Sequence, residues 1–325
     1  MIFSLLLTFS IIGMISSFSW FMIWISMEIN LLAFITFMFM KNSKSMAEAS
    51  IKYFLIQAVS SIMFLMSILM FFMTSNYHLN LEYLTISALL IKLGIAPFHS
   101  WFPEVIEGMT WSLAFLLMTL QKIGPFMLIS YINTSSLFIY MTATLSAIMG
   151  GIQGLSQSSI LKILGFSSIT QNGWLLITIN LSTKIWSIYF LIYTLILLNI
   201  ITLLKKYKIL KIYDLNSLKT NNWMILFMIM NMFMISGLPP FIMFLAKWMT
   251  IQLMIMDNSL IFALLLLSFT LISMYIYLQM IYSIIMISSM ENLTFWQKKM
   301  FSYPLNFKMS LLFFLLMISV LPYYF

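Results

Sequence analysis

Lys92-Leu93-Gly94-Ile95-Ala96-Pro97-Phe98 closes a stretch, residues 81 to 98, that is otherwise long and apolar enough to cross a lipid bilayer. Two things in it conflict with an ordinary membrane helix. A lysine at the centre of a membrane helix costs roughly 2.5 to 3.5 kcal/mol. A proline inside a helix removes a backbone hydrogen bond and clashes with the carbonyl four residues back, and the freed carbonyls are tolerated in lipid only where protein or water satisfies them. The same punctuation returns in Gly237-Leu238-Pro239-Pro240-Phe241, so Gly-x-x-Pro-Phe occurs twice, each time near an intramembrane lysine. Paired interruptions in the two halves of a chain point to inverted-repeat transporters with a site at the midplane. Five residues repeated once make a short repeat, and coincidence is the competing explanation.

Working outward, composition settles the class. The 325 residues are 62% hydrophobic, 7% charged and 17% aromatic, and the mean hydropathy is +1.05, against about a quarter charged in a soluble domain. The apolar stretches lack the period-two alternation of an outer-membrane barrel, so the fold class is an all-α polytopic membrane protein. With no cysteine, disulfides, thiolate metal sites and iron–sulfur ligation are excluded. His78 and His99 are the only histidines, too few for a bis-histidine haem protein of the usual kind. No nucleophile with a base, metal-ligand set or phosphate loop is evident. Gly150-Gly151-Ile152-Gln153-Gly154 lacks dinucleotide spacing and reads as close helix packing.

Spans are expected at about residues 2 to 17, 20 to 40, 49 to 73, 81 to 98, 110 to 132, 135 to 155, 159 to 180, 184 to 204, 222 to 256, 259 to 288 and 308 to 323. The ninth would be roughly 52 Å long as one helix, beyond the roughly 30 Å of hydrocarbon it must cross. Lysine placement decides how to count it. As one interrupted span it leaves twelve lysines at loops and helix ends on the N-terminal side (Lys41, Lys44, Lys52, Lys162, Lys205, Lys206, Lys208, Lys211, Lys219, Lys298, Lys299 and Lys308) against Lys184 alone on the other. That asymmetry is what the positive-inside rule predicts. Eleven spans, an inner, matrix-like N-terminus and a broken ninth helix follow. The net charge of +8 is then mostly a topological signal and implies no nucleic-acid partner.

Every basic residue is lysine, alongside 32 Met and 30 Phe. That bias fits an AT-rich genome read with a code in which a second codon encodes methionine, as in animal mitochondria; an AT-rich endosymbiont is the alternative. Ile2 onward is already apolar, with no presequence or charged signal region. Synthesis in the organelle that holds it is the expectation.

Only Lys92, Lys122 and Lys247 are left unexplained by topology, together with Glu28 inside the second span. Three central lysines oppose insertion by roughly 10 kcal/mol if nothing compensates. Burial disfavours a charged lysine and a nearby carboxylate favours it, so making and breaking a Glu–Lys pair can load and unload a proton near neutral pH. A row of such lysines joined by water reads as a proton relay. The bland alternative for Glu28 is a hydrogen bond to Asn30 or a neighbouring helix. His99 reads as an interface cap or a proton entry or exit group, Lys162 as a topology anchor or a candidate relay position, and His78 as solvated.

The strings Trp24-Ile25-Ser26-Met27-Glu28-Ile29-Asn30-Leu31-Leu32, Glu48-Ala49-Ser50-Ile51-Lys52-Tyr53-Phe54, Lys92 to Glu104, Gln121-Lys122-Ile123-Gly124-Pro125 and Gly237 to Phe241 resemble the antiporter-like membrane subunits of mitochondrial NADH:ubiquinone oxidoreductase, respiratory complex I. The likeness runs in order over essentially the whole chain and is nearest to the chain 2 family of invertebrate animals. It implies two inverted repeats, about 2 to 132 and 135 to 288, with a last helix at 308 to 323. It implies that Glu28 partners Lys92, that Lys122 is the central relay lysine and that Lys247, in Phe244-Leu245-Ala246-Lys247-Trp248, serves the second broken helix. Pro97, Gly237, Pro239 and Pro240 are the implied helix breaks.

The resemblance further implies a multi-pass protein of the mitochondrial inner membrane with its N-terminus on the matrix side. Its partners would be neighbouring antiporter-like membrane-arm subunits, other complex I subunits and phospholipid. FMN, iron–sulfur clusters and ubiquinone belong to the implied assembly, and this chain would bind none of them and carry no metal and no catalytic redox residue. The alternatives are a stand-alone cation/proton antiporter, or a structural subunit whose charges merely pair. Two positions depart from the family pattern. Where a histidine is usual after Ser167-Ser168-Ile169-Thr170, this chain has Gln171, which cannot titrate, so water would have to bridge it; and Leu161 precedes Lys162 where arginine is frequent.

Overall fold

The computed structural model describes residues 2–40, 43–73, 78–132, 135–215 and 222–289. The expected last span, 308 to 323, lies outside them, as do Lys41, Lys219, Lys298, Lys299 and Lys308. The described residues form thirteen helices: α1 (Ile2–Ser16), α2 (Trp20–Phe39), α3 (Lys44–Met73), α4 (His78–Leu93), α5 (Trp101–Gly108), α6 (Trp111–Met118), α7 (Leu120–Ser130), α8 (Ser136–Leu155), α9 (Ile160–Leu181), α10 (Thr183–Tyr207), α11 (Asn222–Ser236), α12 (Ile242–Met256) and α13 (Leu260–Ser289). Among these residues the only β pairing is the isolated bridge between Ser159 and Lys211.

Six helical stretches are long and apolar enough to cross a membrane, counting α6 and α7 together: Trp20–Phe39, Lys44–Met73, Trp111–Ser130, Ser136–Leu155, Thr183–Tyr207 and Leu260–Ile284. The exterior of the protein carries exposed Phe9, Phe18, Phe21, Leu264 and Leu271, the kind of apolar surface that belongs against lipid. Helix α9 is a different case. It carries Ser167, Ser168, Thr170, Gln171 and Asn172 in its middle and is buried along almost its whole length. Its neighbours α5, α6, α7, α8, α10, α12 and α13 enclose it, so protein rather than lipid surrounds it and its polar residues can be paired. Gly150 lets α8 lie against α9, since a Cβ there would sit 2.6 Å from Thr170 Cγ2 and 2.8 Å from the Phe166 carbonyl; Gly154 makes room for Ile276 of α13.

Most helix limits fall close to expectation, and three departures have physical causes. Helix α3 begins at Lys44, five residues earlier than expected, because the Ser43 hydroxyl accepts the Met46 N–H and caps a polar first turn. Helix α4 stops at Leu93, before Pro97 is reached. Gly94, at φ +65°, ends it: its N–H bonds the Ile91 carbonyl and the Ile95 N–H bonds that of Leu90, the paired bonds of a Schellman cap. The expected fifth span is two helices, parted at Thr119 with φ −120° and ψ −81°. Pro125 lies inside α7 and needs room at the carbonyl of Gln121, and the break just upstream puts Lys122 in the first turn of α7.

The two Gly-x-x-Pro-Phe strings fold alike. Gly237 has φ +77° and bonds the Met234 carbonyl, and Phe241 N–H reaches the Leu238 carbonyl as Phe98 N–H reaches that of Ile95. The peptide bond before Pro97 and that before Pro240 are both cis. In each case one helix ends and another begins within a few residues.

Between α10 and α11, Asp214 accepts the N–H groups of Leu210 (3.1 Å) and Lys211 (2.8 Å). The two amides hold its carboxyl below the ordinary range. A depressed carboxyl stabilises at pH values above its unfolded pKa, and that contribution is lost as pH falls through the folded one. Asp214→Ala is expected to speed amide exchange at Leu210 and Lys211 at neutral pH, measured by hydrogen–deuterium exchange. Acidification of the unaltered chain should give the same local loss.

Candidate functional site

Lys122 is 2% exposed and stands in the first turn of α7. Its ammonium donates to Asn172 Oδ1 at 2.8 Å and lies over the rings of Phe102 at 5.2 Å and Tyr193 at 5.4 Å. Asn172 in turn donates from Nδ2 to the carbonyl of Leu93, the last residue of α4, at 3.2 Å. A hydrogen bond to a charged group contributes about 1.5 to 3 kcal/mol and a desolvated cation–π contact about 2 kcal/mol. Those terms match the roughly 2.5 to 3.5 kcal/mol that a central lysine costs. The buried cation is therefore tolerated without a carboxylate beside it.

Lys92 is in the last turn of α4, half-buried, with its own carbonyl accepting Gln57 Nε2 at 3.3 Å. Lys92 and Lys122 line one cavity with Asn30, Gln57 and Gln121, and about 30 Å³ of it is open to the centre of a water molecule. A site of that size with several polar neighbours suits water. Gln121 Nε2 donates to Asn30 Oδ1 at 3.0 Å. Asn30 is thus engaged across to α7, not with Glu28, which sits two residues away on another face of α2.

Glu28 is half-buried, as Lys92 is. No ion pair joins them among the described residues, where the salt bridges are Lys52–Glu104 at 2.5 Å and Lys162–Glu107 at 2.7 Å.

Lys247, on α12, is 5% exposed and donates to the carbonyl of Ser236, the last residue of α11, at 2.9 Å; its ammonium lies 5.8 Å from the Trp174 ring. The close approach depends on Gly237, because a Cβ there would lie 2.8 Å from Nζ. Gln171 donates from Nε2 to the neighbouring Ile235 carbonyl at 3.3 Å, and its Oε1 accepts the Tyr189 hydroxyl at 2.6 Å. These backbone acceptors are free because the last carbonyls of a helix have no partner within it.

Lys122 and Lys247 therefore meet Asn172 and Trp174 of α9, near Gln171, and Lys92 joins them only through the cavity it shares with Lys122, while the other two suspected groups are held elsewhere. His99 is buried and its Nε2 bonds Gln153 Oε1 at 2.8 Å. Lys162 is tied to Glu107, and each stays partly solvated. Sequence reasoning missed Asn172, Tyr189 and Gln121. The available signal was cost: a carboxamide inside a span needs a partner for the same reason a lysine does.

The family profile described as NADH:quinone oxidoreductase/Mrp antiporter, TM, matches residues 17–274. NADH-ubiquinone oxidoreductase chain 2 of Anopheles gambiae is 40% identical over 299 residues, covering 90% of this chain and 87% of the relative. The chain belongs to the NADH-ubiquinone oxidoreductase chain 2 family. The same family's protein from Papio hamadryas is 33% identical over 294 residues, 87% of this chain and 84% of the relative. In fold, the chain is similar to one from respiratory complex I of Thermus thermophilus, with TM-score 0.83 at 19% identity over 98% of this chain and 76% of that one. A chain of the Mrp complex from Dietzia sp. gives 0.75 at 16%, over 86% and 59%. Within this family the buried lysines and the paired glycine turns fall in the matched segment, and Gln171 and Asn172 fall there too.

Proposed function

We propose that this chain is a proton-translocating membrane-arm subunit of respiratory complex I, the H+-translocating NADH:ubiquinone reductase, working within the mitochondrial inner membrane. The observation that carries the mechanism is the pair of buried lysines, Lys122 and Lys247, each held by a neutral acceptor beside α9. A lysine held that way can release its proton, because no carboxylate is bonded to it. A change passed along the membrane arm separates Glu28 from Lys92 and removes electrostatic support from that ammonium. Lys122 passes its proton on towards Lys247 and the outer face, and is reloaded from Lys92 through the water-sized cavity they share.

In this reading the chain crosses the membrane eleven times, starts on the matrix side and is built from two inverted repeats, about 2 to 132 and 135 to 288. The lysine asymmetry and the shared geometry of the two glycine turns support it. Gly94 and Gly237 end the paired helices whose free carbonyls receive the relay, and Pro97, Pro239 and Pro240 lie in the turns that follow. Neighbouring antiporter-like subunits and phospholipid cover the apolar exterior. FMN, iron–sulfur clusters and ubiquinone belong to the assembly, and the clusters are held by other subunits, since this chain has no cysteine to ligate one.

Purification of the native membrane complex tests the assignment. The chain should migrate within a large NADH-oxidising assembly, and cation/proton exchange by the isolated chain would instead make it an antiporter in its own right. Proton counting with Lys122→Met tests the relay: full stoichiometry per NADH removes Lys122 from it.

A further inference from the structure

Gln171 and Asn172 are consecutive, fully buried carboxamides, and each bonds in two directions. Asn172 donates to the carbonyl that ends α4 and accepts from Lys122. Gln171 donates to the Ile235 carbonyl near the end of α11, beside the Ser236 carbonyl that receives Lys247, and accepts from Tyr189. Adjacent helix residues project about 100° apart, so one pair on one helix can address two different sites. It addresses the two helix breaks.

We propose that Gln171 and Asn172 form a carboxamide clamp, a pair of positioning residues that fixes the two broken-helix ends to α9 and so sets the acceptors of Lys122 and Lys247 together. The amide direction at each is determined. With Nε2 given to a carbonyl, Gln171 has only its oxygen for Tyr189, whose hydroxyl is thereby aimed at it; with Nδ2 given to Leu93, Asn172 has only its oxygen for Lys122. An amide neither takes nor releases a proton near neutral pH, so the clamp moves none itself. Its contribution at Lys122 is neutrality, because an uncharged oxygen holds the ammonium without the added attraction of a carboxylate. Near Lys247 its contribution is geometry.

This inference rests on the relay reading above, and the experiment separates them. Complex I assembled with Asn172→Asp, Asn172→Leu, Gln171→Leu or Gln171→His is compared with the Lys122→Met enzyme for assembly, NADH-linked turnover and protons moved per NADH. Asn172→Asp keeps the shape, places a carboxylate against Lys122 and, having no N–H, gives up the bond to the Leu93 carbonyl; it should leave assembly intact while lowering coupled turnover about tenfold, with fewer protons per NADH. Gln171→Leu should show a similar loss. Gln171→His should keep most of the activity, because imidazole also offers one donor and one acceptor. If the leucine variants fail to assemble, Asn172→Asp and Gln171→His, both polar and near in shape, decide the matter. Full stoichiometry in Asn172→Asp with loss in Lys122→Met overturns the clamp and leaves the relay standing; full stoichiometry in Lys122→Met overturns both.

Discussion

Lys122→Met is expected to assemble and to oxidise NADH while its coupled turnover falls by roughly 10²-fold, the usual loss on removing a proton-transferring side chain. The reasoning begins with stability. Methionine is nearly isosteric with the lysine stem, and removing the ammonium relieves a burial cost of roughly 2.5 to 3.5 kcal/mol. It also leaves Asn172 Oδ1, now accepting from Lys122 at 2.8 Å, without a donor, at about 1 to 3 kcal/mol. The two terms nearly cancel. A large functional loss beside unchanged assembly would therefore place the role of Lys122 in proton transfer and not in folding. Lys122→Arg sharpens the comparison: arginine keeps the charge but is never deprotonated in a protein. It should fail as a relay if proton release is required, and succeed if the position needs only a cation. The measurement is protons moved per NADH in proteoliposomes, with assembly checked on native gels.

What the sequence disclosed about this molecule follows from which energies are local. Lys122 and Lys247 were legible as buried groups because a charge in lipid is costly wherever it lies, and the Gly237 turn because a glycine–proline pair limits the backbone on its own. The end of α4 was misplaced by five residues because proline was read as the stop, whereas Gly94 had already turned the chain at φ +65°. The division of α6 from α7 at Thr119 was hidden because that stretch is apolar throughout and hydropathy says nothing about a change of helix axis. Helix α9 was found within one residue of its limits, yet its enclosure by seven other helices is a tertiary fact that its own composition only hints at. For the same reason Asn172 and Tyr189 went unnoticed. A carboxamide or hydroxyl becomes informative only when its partner is known, and the partners here come from helices distant in the chain, at Leu93, Ile235 and Gln171.

The other large effect is expected at the two turn glycines, and it should differ between them. Both have positive φ, where any other L-residue costs roughly 1 to 2 kcal/mol. At Gly94 a new Cβ would meet Phe102 Cβ at 2.9 Å, an atom fixed to the backbone of α5 in a fully buried ring that also lies over the Lys122 ammonium. Nothing there can move cheaply, and overpacking adds about 1 to 3 kcal/mol. Gly94→Ala should therefore reduce assembly itself. At Gly237 the new Cβ would meet the Nζ, Cε and Cδ atoms of Lys247 at 2.8 to 3.1 Å, the far end of a flexible chain that can swing aside. The backbone cost remains, but the steric cost is relieved by taking the ammonium off the Ser236 carbonyl. Gly237→Ala should accordingly assemble to a larger extent than Gly94→Ala while moving fewer protons per NADH. Native-gel abundance and proton counting on the same preparations separate the two, and equal assembly defects with normal stoichiometry in the survivors would sever Gly237 from the position of Lys247.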